Sequence, residues 1–340
     1  MVYKKNKRTK KQKEITRKRT LIALVVTLIF FVGYGVGKNG WNQSKWTDTI
    51  QNIEKKITDL ANTYTSEPSK SMGSATVRVL DVGQGSATLL QSEDGVNILI
   101  DTGRDDDKDK KIIQSLDKYI GTGGQIDLLI FTHNHADHLG YGDQILSYYR
   151  VKEVWVNGLD TTTKVYERVL DAIAASDAIY TEPVAGEKAQ VGPFYLKVLN
   201  PLETRTKDQN DNSIVLAIEV NEFSLMLTGD ASTSIEKKIL EREPNVKSDV
   251  LILGHHGSSY SSHEVWLESV NPDVGIYSAG IGNIYDHPSP ETVKRIEERN
   301  IPLYGTDTHG EVTLEIKKDG AYSVHVKKGD TIYENGSGDD

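Results

Sequence analysis

Between Asp127 and Gly140 the chain reads DLLIFTHNHADHLG, placing His133, His135, Asp137 and His138 within six positions. Imidazole nitrogens and a carboxylate oxygen suit a borderline divalent ion such as zinc, and the absence of cysteine removes thiolate ligands and disulfides alike. A polar surface loop does not account for this density, since the whole chain of 340 residues holds only nine histidines. Such side chains converge only from a rigid launch point. The apolar run Leu128 to Phe131 supplies one, reading as a buried β-strand that ends where the histidines begin.

Strand and helix patterns surround that motif from about residue 75 to 328. TVRVLDV, SATLLQ and VNILIDTG read as consecutive strands, with Gly83, Gly85 and Gly95 at the turns. Lys110 to Ile120 reads as a helix, and VKEVWV, KVYERVLDAIAA and FYLKVLNP continue the alternation. SIVLAIEV and FSLMLTGD form a hairpin, followed by a helix over Thr233 to Glu241, the strand DVLILG, a helix over Glu264 to Ser269, the strand DVGIYSAG and a helix over Glu291 to Arg299. EVTLEIKK and AYSVHVKK close the domain as a hairpin turning at Asp319 and Gly320. Residues 329–340, ending in GSGDD, are expected to be disordered.

The N-terminal quarter is built differently. Residues 1–20 hold ten Lys or Arg against the single Glu14, and residues 21–37, LIALVVTLIFFVGYGVG, carry no charge. The expectation is a short transmembrane anchor with a cytoplasmic basic tail and an extracytoplasmic domain; a cleaved signal peptide is the competing reading. Residues 38–74 are expected to be a helical stalk and linker. Trp46, Ile50, Ile53, Ile57, Leu60 and Tyr64 alternate spacings of four and three, the pattern of a weak dimeric coiled coil or of an amphipathic juxtamembrane helix. TSEPSKSMGS, Thr65 to Ser74, then breaks the periodicity. With +9 in the basic tail and −9 overall, residues 21–340 carry −18, which opposes general attraction to nucleic acid or acidic lipid.

The HxHxDH pattern at 133–138 resembles the signature of the metallo-β-lactamase superfamily. DVGQGSATLL, ILIDTG, DNSIVL, LTGD, LGHHGSSYSS and NIYDHP resemble, in order and spacing, the metallo-hydrolase domain of ComEC-type competence proteins. The resemblance implies an α/β fold, the four-layer αβ/βα sandwich, with two divalent metal ions at one edge, zinc or alternatively manganese. It implies His133, His135, Asp137, His138, Asp230 and His255 as metal ligands, Asp230 being the bridge. Asp137, His256 and His287 are the implied catalytic residues, and Gln84, Asn212 and Asn283 the substrate-binding ones. Residue type does not decide which of His255 and His256 is the ligand; His255 is the working assignment. Asp101 is expected to accept a hydrogen bond from the first histidines, and His263, His309 and His325 to be structural. One departure stands out: KDQNDNSIVL carries no histidine where superfamily members with three histidines at the first metal take the third, leaving Asn212 or Asp211 as a weak substitute.

The function this implies is a membrane-anchored extracytoplasmic hydrolase, with phosphodiesters attacked by a metal-activated water. The substrate would be nucleic acid or an envelope polymer. Alternatives are a cell-envelope hydrolase such as a phosphorylcholine esterase, and a non-catalytic binding module with a degenerate site.

Overall fold

A computed structural model describes residues 73–328 and 332–335. The basic tail, the apolar run 21–37 and nearly all of the expected stalk lie outside the described residues. Among the described residues no helix is long and apolar enough to cross a membrane.

Two sheets form the centre. From edge to edge the first runs Ile332–Asn335, Tyr322–Val326, Val312–Ile316, Ala75–Val79, Thr88–Ser92, Asn97–Ile100, Leu128–Ile130, Glu153–Trp155 and Ile179–Thr181. The second runs Leu303–Gly305, Val274–Tyr277, Val250–Ile252, Phe223–Leu227, Val215–Val220, Phe194–Asn200 and Lys188–Val191. Their facing sides share one apolar core, in which Val77, Leu90, Ile98 and Leu128 meet Leu196, Leu216, Leu225 and Val250. Each sheet is also covered outside by helices. Ile112, Leu116, Ile145 and Val169 pack on Leu89, Leu99 and Leu129, while Ile235, Ile239, Trp266 and Ile296 pack on Met226 and Leu251. The layers are therefore helix, sheet, sheet and helix. Burial on both faces explains why the central strands read as unbroken apolar runs: Leu128 and Ile130 point to the shared core and Leu129 to the helices.

Local chemistry sets the helix starts. Thr163 accepts from the Tyr166 amide ahead of Lys164–Ala175, and Ser289 accepts from Thr292 with Pro290 in the first turn of Pro290–Glu297. Short edge strands such as Lys188–Val191 and Leu303–Gly305 carried no separate signal in the sequence. Ile332–Asn335 corrects the expectation for 329–340, because it pairs antiparallel with Tyr322–Val326.

Topology then places the site. Asn97–Ile100, Leu128–Ile130 and Glu153–Trp155 are parallel, as are Phe223–Leu227, Val250–Ile252 and Val274–Tyr277. The loops leaving the carboxyl ends of these strands carry Asp101, the His133–His138 motif, Asp230, the His255–His256 pair and Ser278.

Candidate metal centre

Residues more than a hundred positions apart meet at these strand ends. His133 and His138 sit with Asp230, and Asp137 and His138 with His256, as two groups whose ligand-type atoms lie within 4.8 Å of one another. Asp230 faces both. Its Oδ1 is 3.3 Å from His138 Nε2, and its Oδ2 is 3.7 Å from His133 Nε2 and 3.8 Å from His256 Nε2. His256 Nε2 is also 3.3 Å from Asp137 Oδ2. His135, exposed at the rim, joins through Nδ1, 3.0 Å from His133 Nε2.

Buried partners hold the rings. Asp101 Oδ2 lies 2.8 Å from His138 Nδ1, while the same carboxylate accepts from the Thr132 amide and hydroxyl. The Ser278 carbonyl lies 2.8 Å from His256 Nδ1. With both Nδ1 atoms engaged, the Nε2 atoms of His138 and His256 are buried without a hydrogen-bond partner and face the carboxylates. That is the arrangement of metal-ligating imidazoles, whose second nitrogen is tied to an outer acceptor. The donor set fits a divalent cation: imidazole nitrogens and carboxylate oxygens, no thiolate, and buried carboxylates in need of positive charge.

Electrostatics follow from this crowding. Burial lowers the affinity of His133 for a proton, and the charge of His138 lowers it further. Burial also opposes charge on His138, but Asp230 and Asp101 outweigh it and hold His138 well above the usual imidazole range. Burial would raise Asp230, yet His138, His256 and His133 hold it well below the usual carboxylate range. His287 is pushed down to about 4, by burial first and then by His255 and His256.

Within the histidine pair the geometry makes His256 the candidate that joins a ligand group. His256 is 5% exposed and enters the ligand group. His255 stays outside both groups, 28% exposed at its side chain, with Nε2 3.7 Å from Asp230 Oδ2 and its ring 5.4 Å from that of His287. Both residues adopt left-handed backbone, φ 52° and 56°, and their rings sit 6.2 Å apart, each with Nε2 within 3.8 Å of Asp230 Oδ2.

Asn212 and Asn283 do not present their amides to a substrate. Asn212 is buried; its Oδ1 accepts from the Thr206 amide and its Nδ2 donates to Thr206 and Asp208. Its neighbour Ser213, missed in the sequence, accepts from the Asp230 amide through Oγ. Asn283 accepts from the Tyr285 and His287 amides and donates to the Gly280 and His287 carbonyls, so it shapes the loop that delivers His287. Gln84 accepts from the Gly280 amide and ties that loop to the DVGQG turn. The turn itself lies against the ligand segment: Ser86 donates to the Asp137 carbonyl, and a Cβ on Gly85 would sit 2.5 Å from that oxygen. Asp81 is spent on Gly83 and Lys111.

Comparison with known proteins agrees with this geometry. The profile of the metallo-beta-lactamase superfamily matches residues 80–281, more than half of the chain and all of the ligand groups above. The chain belongs to that superfamily. Its metal-dependent hydrolase fold is thereby established. Among curated relatives, ComE operon protein 3 of Bacillus subtilis is 29% identical over 264 residues, covering 73% of this chain and 34% of that protein. Competence protein ComA of Neisseria gonorrhoeae is 28% identical over 254 residues, covering 74% and 34%. Recombination protein 2 of Haemophilus influenzae is 30% identical over 249 residues, covering 72% and 29%. The chain thus spans about a third of the length of these relatives.

Proposed function

We propose that this superfamily member is a phosphodiesterase that holds two divalent cations, zinc or manganese, and is tethered through residues 21–37 with its domain outside the membrane. The observation that carries the reading is Asp230, whose carboxylate lies within 3.3 to 3.8 Å of His138, His133 and His256, where two overlapping ligand groups meet. In this assignment His133, His135 and Asp230 would hold one ion, and Asp137, His138, His256 and Asp230 the other. Bound there, the pair would supply Lewis acidity, neutralising a phosphodiester and bringing the pKa of water toward neutrality.

The chain's own residues do the rest. Asp101 and the Ser278 carbonyl orient the His138 and His256 rings, so the coordinating nitrogens need no rearrangement. His255 and His287 line the open side, their rings 5.4 Å apart, where an imidazole N–H can donate to a phosphoryl oxygen or to the departing oxygen. Burial holds His287 neutral, which suits a hydrogen-bond donor. A phosphodiester is favoured because the acidic chain offers an anion little general attraction, leaving the bound cations to neutralise it.

The test is hydrolysis by the purified full chain, loaded with zinc or manganese, of bis-p-nitrophenyl phosphate, single-stranded DNA and p-nitrophenylphosphorylcholine. Turnover of the first two is expected. Turnover of the choline ester alone would replace this reading with an envelope esterase, and inactivity on all three despite two bound metals would refute it.

A further inference from the structure

The segment after Asp101 is stitched onto the chain around His138 and onto the DVGQG turn. The Thr102 amide donates to the His138 carbonyl, the Gly103 amide to Ser86, and the Gly140 amide to the Gly103 carbonyl. Arg104 therefore emerges at the rim of the centre. Its side chain is 39% exposed and its Nε pairs with Asp106 at 2.8 Å. Gly103 packs on Gly85, and the adjacent Gln84 holds the Gly280 amide at the base of the loop that carries Tyr285, so that Tyr285 and Asp137 both favour the charge on this guanidinium. Tyr285 comes from the loop that Asn283 shapes. Its ring stacks on His287 at 5.9 Å and 25°, yet the residue remains 50% exposed. Ile281 and Ile284 on that loop are 78% and 88% exposed. A guanidinium and an apolar, aromatic loop thus lie near one another at the rim of the centre, the loop connected through His287 to His255.

We propose that Arg104 and Tyr285 form a substrate subsite beside the metal centre, taking the nucleotide that flanks the scissile phosphate. In it the guanidinium binds an anionic oxygen and the phenol ring stacks on the base. This deepens the phosphodiesterase reading and rests on it. Arginine is suited to phosphate oxygens through its planar fork of donors, and an exposed aromatic ring accepts any base by its face. The Asp106 pair is exposed and screened, so exchanging it for a substrate phosphate costs little. Charge also selects the occupant. An aromatic ring alone would welcome a quaternary ammonium, but a guanidinium next to it repels one. The pair therefore favours a nucleotide over a choline group.

The test compares wild type with Arg104→Ala, Tyr285→Ala and Tyr285→Phe in the metal-loaded full chain, using a thymidine hexanucleotide and methyl p-nitrophenyl phosphate, a diester with no base and a single charge. The two alanine variants should lower the preference for the hexanucleotide on the order of tenfold. They should do so through KM, while the Phe variant stays within about twofold because it keeps the ring. Anisotropy of the labelled hexanucleotide with metal chelated should show the same ranking. Removing Arg104 should flatten the salt dependence by about 0.7 in log–log slope, and removing Tyr285 should leave it unchanged. If wild type hydrolyses the small diester and all four proteins share one hexanucleotide preference, the subsite is overturned and the phosphodiesterase reading stands. If no diester is hydrolysed, that reading fails, and equal hexanucleotide affinity across the variants overturns the subsite too. A wild-type preference for p-nitrophenylphosphorylcholine over the hexanucleotide also overturns it.

Discussion

Replacing Asp101 by Asn changes one atom at a position that touches no substrate, and its consequence can be worked from three contacts. Asp101 is 1% exposed. Its Oδ1 accepts from the Thr132 amide at 2.8 Å, and its Oδ2 accepts from the Thr132 hydroxyl at 2.8 Å and lies 2.8 Å from His138 Nδ1. If Asn keeps its oxygen toward the Thr132 amide, its NH2 group meets the N–H of His138. The imidazole then has to move its proton to Nε2, losing the lone pair that faces Asp230, or endure two opposed donors. If the amide flips, the NH2 group meets the Thr132 N–H, and a buried donor is orphaned. Either arrangement costs about 1–3 kcal/mol. Outer partners of metal-ligating histidines are worth roughly 10- to 100-fold in metal affinity, a range of the same size. Competition against a chromophoric chelator should therefore show Asp101→Asn binding zinc or manganese about 10- to 100-fold more weakly than wild type. Its circular dichroism should be unchanged. A folded variant with metal affinity within about twofold of wild type would refute the claim that Asp101 sets the tautomer of a ligand.

Other outcomes follow from the same contacts. His256→Ala should lose at least one metal equivalent by elemental analysis, whereas His255→Ala should retain both and lose turnover; the reverse result would restore His255 as the ligand. Asp230→Ala should abolish turnover and metal retention while keeping its circular dichroism, because Asp230 sits at the sheet rim; two retained metals would reduce it to a loop residue. Gly85→Ala should cost about 2 kcal/mol in denaturant unfolding, since its Cβ would meet the Asp137 carbonyl at 2.5 Å. Glu236 is buried, which pushes its carboxyl up to about 7 from 4.5 although Ser262 and His263 donate amides to it. Between these values the folded chain keeps a proton that the unfolded chain has released, so this group's contribution falls as pH rises from 4.5 to 7. The loss is on the order of 3 kcal/mol. The stability gap between wild type and Glu236→Gln should shift toward the variant across that window and stay flat above it, as followed by denaturant midpoints; no shift would show an ordinary, ionised carboxylate.

Much of this protein is visible in short stretches. LLIF and LILG announce strands buried on both faces because every side chain in them is apolar. HNHADH announces metal chemistry because its ligand types sit too close together for chance. The order of strands and helices along the chain follows from the same periodicities, as do the ends of the main helices, whereas their layering was implied only by the family resemblance. The edge strand Ile332–Asn335 was not visible. Its four residues gain their pairing only once Tyr322–Val326 presents an open edge.

The roles of single side chains at the site were decided in three dimensions. His255 and His256 are the same residue type in adjacent positions, and no sequence pattern separates them. The fold distinguishes them by environment: the Ser278 carbonyl, 22 positions away, engages Nδ1 of the buried His256, while His255 keeps a side chain that is 28% exposed. Asn212 looked available because a carboxamide in a polar loop reads as unspent, but the fold commits its polar atoms to Thr206 and Asp208. Nothing in the sequence marks Arg104, one charge among many in RDDDKDKK, because its neighbour Tyr285 lies in the other half of the chain and comes near only in the fold. Residue types and spacing determine which chemistry is available, since ligand preference and periodicity are local properties. Which atoms are free to perform it depends on hydrogen bonds between distant segments, and those exist only after the two sheets have packed.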